Sequence, residues 1–139
     1  MNMKRFFCTA NLLLGLALAL APFVLAPVCE AAAPHGGHMK CWYSAVLITV
    51  AGAALVMLSL LCLIRGGRGS FFAVLFGAAA ACVCWLVPEG VFSVGGAGWC
   101  AAAAHACREG TRPLVLKLIG ALGLTDLIGL VLLFVKGDR

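Results

Sequence analysis

Four long apolar segments constrain the fold of this chain more than any other feature. They cover residues 6–28, 42–64, 71–87 and 113–135. Each is close to the ~20 residues that a helix needs to cross the hydrocarbon core of a bilayer. Hydrophobic residues make up 64% of the 139 residues and charged residues only 11%, a balance that a water-soluble core cannot bury. The sequence therefore predicts an integral membrane protein.

The spanning segments are expected to be helices, because lipid offers no hydrogen-bonding partner to open backbone groups. A β-barrel would need polar and apolar residues to alternate along each strand, whereas these segments are apolar on every face. The predicted fold is an all-α membrane protein, a four-transmembrane-helix bundle that forms a single membrane domain over residues 1–139. Residues 29–41 and 88–112 are then two loops on one side of the bilayer.

The basic residues predict how the bundle is oriented. Six of the ten lie at segment ends on the side opposite the two loops: Lys4, Arg5, Arg65, Arg68, Lys136 and Arg139. Because cytoplasmic ends retain Lys and Arg, both termini are predicted to be cytoplasmic, in a multi-pass protein of a bacterial inner (plasma) membrane. The apolar segments make the lipid bilayer an expected partner. Nucleic acid is not expected to bind, because the basic residues form no continuous patch. An alternative is that the first apolar segment is a secretory signal, cleaved after Ala33, which leaves the remaining topology unchanged.

The eight cysteines divide between the two sides of the predicted bundle. Those in or beside the outer loops are Cys29, Cys41, Cys100 and Cys107, and oxidising conditions there predict two disulfides among them. Short loop closure favours the local pairs Cys29–Cys41 and Cys100–Cys107. A helix between Cys100 and Cys107 would separate them by about 10 Å, so pairing between loops stays open. The cytoplasmic-side pair, Cys8 and Cys62, is expected to stay reduced and simply pack.

The stretch "HGGHMKC" raises a second interpretation, a copper or zinc site built from soft and borderline ligands. The candidate ligands are His35, His38, Met39, Cys41, His105 and Cys107. Their spacing is loose, and a cysteine in a disulfide cannot bind metal. No cofactor is therefore predicted, and the stretch is interpreted as a glycine-rich loop with Cys41 as a disulfide anchor.

Two other features bear on function. The spacing of Gly15 with Ala19, and of Gly77 with Ala81, predicts close packing between helices. "CVC" at Cys82 and Cys84 lacks the Cys-x-x-Cys spacing of a redox pair and is interpreted as buried packing. We interpret the chain as a non-enzymatic accessory or structural membrane component. The alternative is an outward-facing thiol redox or copper/zinc-handling membrane protein.

Asp126 is the only acidic residue inside a predicted span. An ionised carboxylate near the bilayer midplane is unfavourable, so Asp126 is expected to be neutral and to face the bundle. Asn11, on another segment, is a candidate hydrogen-bond partner. A structural hydrogen bond is the preferred interpretation, with proton coupling as the alternative.

Several short motifs carry a family resemblance: "HMKCWYS" at the second segment, "RGGRG" after it, and "LVPEGVF" followed by "HAC". On these motifs the chain resembles the domain of unknown function 4418 family over nearly its whole length. The resemblance implies a small four-helix membrane protein of bacteria or archaea. It also implies an export-type ABC permease as a candidate partner, and it assigns no catalytic residue.

Overall fold

A computed structural model of the protein describes residues 3–29, 38–66, 69–91, 97–100 and 107–137. Four α-helices make up most of these residues: α1 Met3–Leu20, α2 Lys40–Ile64, α3 Ser70–Leu86 and α4 Arg112–Gly137. A π-helical turn, Ala21–Leu25, follows α1, and a second, Cys107–Thr111, leads into α4. No β-strand occurs within these ranges, and the predicted all-helical fold class is confirmed.

The helices have the length and surface of a membrane protein. Among the described residues, three helical segments are long and apolar enough to cross a bilayer: Met3–Leu25, Lys40–Ile64 and Cys107–Val135. α3 is apolar but has only 17 residues, which is the lower limit of about 17–25 for a spanning helix. Large apolar side chains are exposed on all four helices, including Leu13, Val50, Phe72 and Phe134. Such a surface suits a lipid environment.

Local sequence explains how the helices end and turn. Pro22 lacks a backbone N–H, and the chain widens at this point into the π-helical turn after α1. The backbone N–H of Val28 then donates to the carbonyl of Pro22 at 3.0 Å and reverses the chain. Between α2 and α3, Gly66 and Gly69 adopt φ values of 67° and 88°. Only glycine adopts this left-handed conformation without strain, which allows the short connection.

α1 packs along α2 through the small residues that the sequence singled out. A Cβ atom added to Gly52 would lie 2.6 Å from the Ala19 nitrogen and 2.8 Å from the Gly15 carbonyl oxygen. The backbones therefore touch at this point, as they do at small-xxx-small contacts between membrane helices. Thr49 Oγ1 also donates to the Ala19 carbonyl at 3.2 Å. Close packing of α1 on α2 thus depends on the absence of side chains.

Gly52→Ala is expected to lower the free energy of unfolding by about 1–3 kcal/mol, because the new methyl group meets backbone atoms that cannot rotate away. Gly120→Ala on α4 is the matched control, since a Cβ atom there meets nothing within 4 Å. Unfolding of both variants in detergent, measured by circular dichroism during titration with a denaturing detergent, makes the comparison. Equal stability of the two variants would contradict the close contact.

The bundle interior joins all four helices. α1 contacts each of the other three helices, and α3 packs along α4. The central apolar cluster contains Leu18, Ile48, Leu55, Val115 and Leu122, each at most 1% exposed. Ala81 and Cys84 of α3 belong to the same cluster, so all four helices contribute to it. The four-cysteine group described below lies at one end.

A disulfide joins Cys8 of α1 to Cys62 of α2, with their Cα atoms 6.2 Å apart. The expectation that these two cysteines stay reduced is wrong for this structure. The physical reason is the close approach of α1 to α2, which brings the two Cα atoms within the usual range of about 4.4–6.8 Å for a disulfide. Reasoning from the reducing cytoplasm could not detect this proximity.

Candidate metal centre

Four cysteines from distant parts of the chain converge at one end of the bundle. They are Cys29, Cys41, Cys100 and Cys107, and their sulfur atoms all lie within 4.8 Å of one another. We call this group the cysteine centre. Cys41 and Cys107 are fully buried, whereas Cys29 and Cys100 are partly buried.

The segment after α1 positions Cys29. It runs past the start of α4, where Thr111 Oγ1 donates to the Ala26 carbonyl at 2.7 Å. Thr111 is fully buried, so this bond is shielded from water. It fixes the segment that carries Cys29 against the π-helical turn that begins with Cys107. Two cysteines separated by 77 intervening residues are thereby brought to the same end of the bundle.

A second anchor positions Cys100 beside Cys41. Ser44, one turn after Cys41 in α2, donates from Oγ to the Gly98 carbonyl at 3.1 Å. The Gly98 N–H in turn donates to Ser44 Oγ at 2.8 Å. This reciprocal pair holds residues 97–100 on the first turn of α2. Cys100 Sγ consequently lies 3.3 Å from Cys41 Sγ.

The surroundings of the cysteine centre are apolar on its inner side. Val28 and Ala45 are buried against Cys41 and Cys107, and Met39 packs on the same cluster. Burial, followed by the contact with Cys41, raises the pKa of the Cys100 thiol above its ordinary value. A metal ion that binds here must therefore displace protons from thiols, as metal binding to cysteine generally does.

The other side of the cysteine centre borders a polar cavity of about 370 Å³. Cys100 lines this cavity together with Lys40 and Arg108. Glu89 and Arg112 also line it and form a two-bond ion pair, with Arg112 Nε and an Nη atom 2.9 and 2.8 Å from the two carboxylate oxygens. The cysteine centre is thus buried on one face and bordered by positive charge on the other.

The structure brings together only part of the mixed ligand set considered from the sequence. Cys41 and Cys107 belong to the cysteine centre. His38 instead stacks on Trp42, with ring centroids 4.1 Å apart and planes 14° from parallel. Met39 packs on the apolar cluster, and His35 and His105 lie outside the described residues.

Cys29 and Cys100 complete the group, although the sequence considered them only as disulfide partners. Their sulfurs, with those of Cys41 and Cys107, are not joined in disulfides in this structure. The sequence feature that could have suggested a metal site was the presence of four cysteines in or beside the two loops. Their spacings of eleven and six intervening residues match no short metal-binding motif.

The remaining two cysteines lie within α3. Cys84 is buried, whereas Cys82 is exposed on the surface of the bundle, so the expectation of buried packing is wrong for Cys82. Neither belongs to the cysteine centre. Cys82 therefore provides a control position for experiments on the cysteine centre.

A separate polar contact lies inside the bundle, between Asn11 of α1 and Asp126 of α4. Asn11 Nδ2 donates to Asp126 Oδ1 at 2.8 Å, and both residues are 0% exposed. The structure thus places in contact the two intramembrane polar residues singled out from the sequence.

The fold and the two polar sites define a class: a helical membrane protein with four converging cysteines at one end and a buried acid–amide pair in its interior. The family model described as "Domain of unknown function (DUF4418)" matches residues 11–134. The chain therefore belongs to this family, and the matched range includes the cysteine centre, Asn11 and Asp126. No curated protein and no solved structure matches the chain.

Proposed function

We propose that the protein is a non-enzymatic membrane component whose cysteine centre binds one zinc ion. The observation that carries the proposal is the convergence of four sulfur atoms within 4.8 Å. A tetrahedral site with Zn–S bonds of about 2.3 Å places its sulfurs about 3.8 Å apart. The 3.3 Å between Cys41 and Cys100 and the 4.8 Å limit of the group lie on either side of that value.

The donor set also favours zinc over the hard cations calcium and magnesium and over Cu(II). Four thiolates in a tetrahedral arrangement suit zinc or iron–sulfur chemistry, whereas calcium and magnesium require oxygen ligands. Copper is the other ion considered for this end of the chain, and its preferred geometry as Cu(II) is square-planar with nitrogen or oxygen ligands. A site closed by four protein ligands leaves no position for substrate, which is typical of structural zinc.

The neighbouring charges support the same proposal. Zn²⁺ bound by four thiolates has a net charge of −2, and a partly buried dianion needs compensation. Lys40 and Arg108 directly precede Cys41 and follow Cys107 in the sequence, and both line the cavity beside Cys100. Both side chains therefore place positive charge beside the proposed centre.

In this role the zinc ion would join the segment after α1, the start of α2, residues 97–100 and the turn before α4. Metal binding to such a site contributes directly to folding free energy. The protein would then act as a stable membrane component, with partnership to a transporter such as an ABC permease remaining an expectation from the family resemblance.

A second candidate is a thiol redox protein, favoured by the 3.3 Å between Cys41 and Cys100. A small movement would allow these two cysteines to form a disulfide between the loops, with Cys29 and Cys107 as the remaining pair. Exchange with a disulfide of a partner protein, which is reduced to two thiols, could form the Cys41–Cys100 bond, and a thiolate of Cys29 or Cys107 could then attack that bond. Such a protein would require two of the thiols to be oxidised in one state.

Metal content together with peptide mapping separates the two candidates. We expect the full chain, purified without chelators from zinc-supplemented cells, to contain one zinc ion per chain. Elemental mass spectrometry measures this content. Alkylation after metal removal under non-reducing conditions should then modify all four cysteines of the centre. A Cys41–Cys100 disulfide with no bound metal would reject the zinc proposal and favour the redox candidate. His38→Ala is the matched control and should retain zinc, because His38 stacks on Trp42.

A further inference from the structure

We propose that Asn11 and Asp126 form an intramembrane proton-binding site, in which the bound proton sits on the Asp126 carboxyl group. This site lies within the helical bundle and does not depend on the cysteine centre. The proposal rests on the hydrogen bonds of two fully buried side chains and on the charges of the helices around them.

Three helices build the site. Asn11 on α1 donates from Nδ2 to Asp126 Oδ1 on α4 at 2.8 Å, and the same nitrogen lies 3.5 Å from the Ala73 carbonyl on α3. Gly77 of α3 faces the carboxyl group, and a Cβ atom there would overlap Asp126 Oδ2. The absence of a side chain at Gly77 therefore leaves room for the carboxyl group.

Two buried oxygen atoms of the site, Asn11 Oδ1 and Asp126 Oδ2, have no hydrogen-bond partner among the described residues. An amide oxygen can only accept a hydrogen bond, and an ionised carboxylate oxygen likewise only accepts. With Asp126 ionised, the site would contain two unsatisfied acceptors and no remaining donor, which is unfavourable in a buried environment. One proton on Asp126 Oδ2 converts that atom into a donor, and Asn11 Oδ1 offers an acceptor.

Among the side chains that the structure describes, no positive charge on the neighbouring helices forms an ion pair with Asp126. α2 carries no charged residue between Cys41 and Ile64, and α3 carries none at all. On α1, Arg5 lies six residues from Asn11, about 9 Å along the axis. On α4, Lys117 lies nine residues from Asp126, about 14 Å away along the helix.

The cysteines of these helices cannot compensate an ionised carboxyl group, because a thiol is either neutral or negatively charged. Cys8 of α1 and Cys62 of α2 are joined in the disulfide. Cys82 and Cys84 of α3 lie at least five residues beyond Gly77, about 8 Å along the helix. An ionised Asp126 would thus be an uncompensated charge, and the neutral, protonated form is favoured.

A proton fits the site better than a metal cation. Hard cations require several oxygen ligands. The Nδ2 group of Asn11 occupies one side of the carboxyl group and directs positive hydrogens toward it. A single proton on Asp126 Oδ2 needs no further ligands and removes the negative charge.

Carboxyl-labelled protein tests this proposal directly. Asp126 and Asp138 are the only aspartates. In Asp138→Asn protein synthesised cell-free with ¹³C-carboxyl aspartate, Asp126 is therefore the only labelled side chain. Infrared spectra of this protein in lipid at neutral pH should show an isotope-shifted carbonyl band of a protonated carboxylic acid. In water an aspartic acid is ionised at this pH and gives only carboxylate bands.

Two variants extend the test. Asn11→Leu should move the protonated-acid band to higher frequency, because the carboxyl group loses its hydrogen-bond partner. Glu109→Gln, which alters an exposed acid, should leave the band unchanged. A labelled carboxyl group that gives only carboxylate bands at neutral pH would overturn the proposal. A protonated band that Asn11→Leu leaves unmoved would also overturn the assignment of Asn11 to the site.

Discussion

Cys41→Ser is expected to lower the zinc affinity of the protein by more than about 100-fold. Substitutions of groups that only orient metal ligands lower the affinity by up to about 100-fold, and Cys41 is itself a proposed ligand. Cys41 is fully buried in the first turn of α2 and lies 3.3 Å from Cys100. Serine is smaller and its hydroxyl group is a poor zinc ligand at neutral pH. Competition with a coloured zinc chelator measures the affinity in detergent.

The same substitution should weaken the end of the bundle that contains the cysteine centre. Because metal binding contributes folding free energy, loss of zinc should increase amide hydrogen exchange in residues 97–100 and in the Cys107–Thr111 turn. Exchange near Cys8 and Cys62, at the other end of the bundle, should change little. Local exchange thus distinguishes loss of the metal site from global unfolding.

Cys82→Ser is the matched control, because it exchanges the same atoms at an exposed position outside the cysteine centre. It should bind zinc as tightly as the unaltered protein and show the same hydrogen exchange. If Cys82→Ser and Cys41→Ser lost zinc to the same degree, the four-cysteine site would not be the binding site.

Loss of the Cys8–Cys62 disulfide should lower the free energy of unfolding by roughly 2–4 kcal/mol, the usual contribution of a disulfide. This bond connects α1 and α2 across 54 positions of sequence. A reducing agent should destabilise the unaltered protein by the same amount as a Cys8→Ser, Cys62→Ser double substitution. Unfolding in detergent with and without reductant measures both effects.

Sensitivity to reductant in the double variant also reports on the cysteine centre. With the Cys8–Cys62 disulfide removed and the centre in its thiolate, zinc-bound form, reductant has no disulfide left to cleave, and stability should not change. A double variant that reductant still destabilises would indicate disulfides among the four cysteines of the centre. Equal stability of the unaltered and double-variant proteins would instead contradict the Cys8–Cys62 bond.

The helical fold could be predicted from sequence because it depends on a local property, the length of apolar segments. The ends of the helices were less predictable. Pro22 lies within the first apolar segment, yet the α-helix ends at Leu20 and a π-helical turn continues the chain. α4 begins at Arg112, and the turn before it, from Cys107, lies within the stretch that the sequence treats as loop. Hydropathy marks the segment that enters lipid and carries little information about backbone geometry at its ends.

The candidate site could be predicted only in part. The four loop cysteines stood out as a group, since their count is even and they lie near one predicted boundary. Their mutual arrangement depends on the Ser44–Gly98 and Thr111–Ala26 hydrogen bonds, which join residues 54 and 85 positions apart. No local pattern encodes such contacts. Sequence reasoning therefore favoured disulfides between near neighbours, whereas the structure places Cys41 beside Cys100.

The contact between Asn11 and Asp126, unlike the arrangement of the four cysteines, could be predicted from the sequence. Polar residues are scarce in the spanning segments, so a buried acid has few candidate partners and the sequence could name one. The role of Gly77 was not predictable to the same degree, because its spacing with Ala81 suggested only helix packing. In the structure Gly77 faces the Asp126 carboxyl group. Which residue leaves room for a buried polar group depends on the rotation of each helix about its axis.

X-ray absorption at the zinc edge of the purified, zinc-loaded protein tests the central proposal most directly. Four protein thiolates predict a single shell of four sulfur atoms at about 2.3 Å from the metal, with no nitrogen or oxygen shell. A shell that contains nitrogen at about 2.0–2.1 Å would show histidine ligation and contradict the assignment to Cys29, Cys41, Cys100 and Cys107.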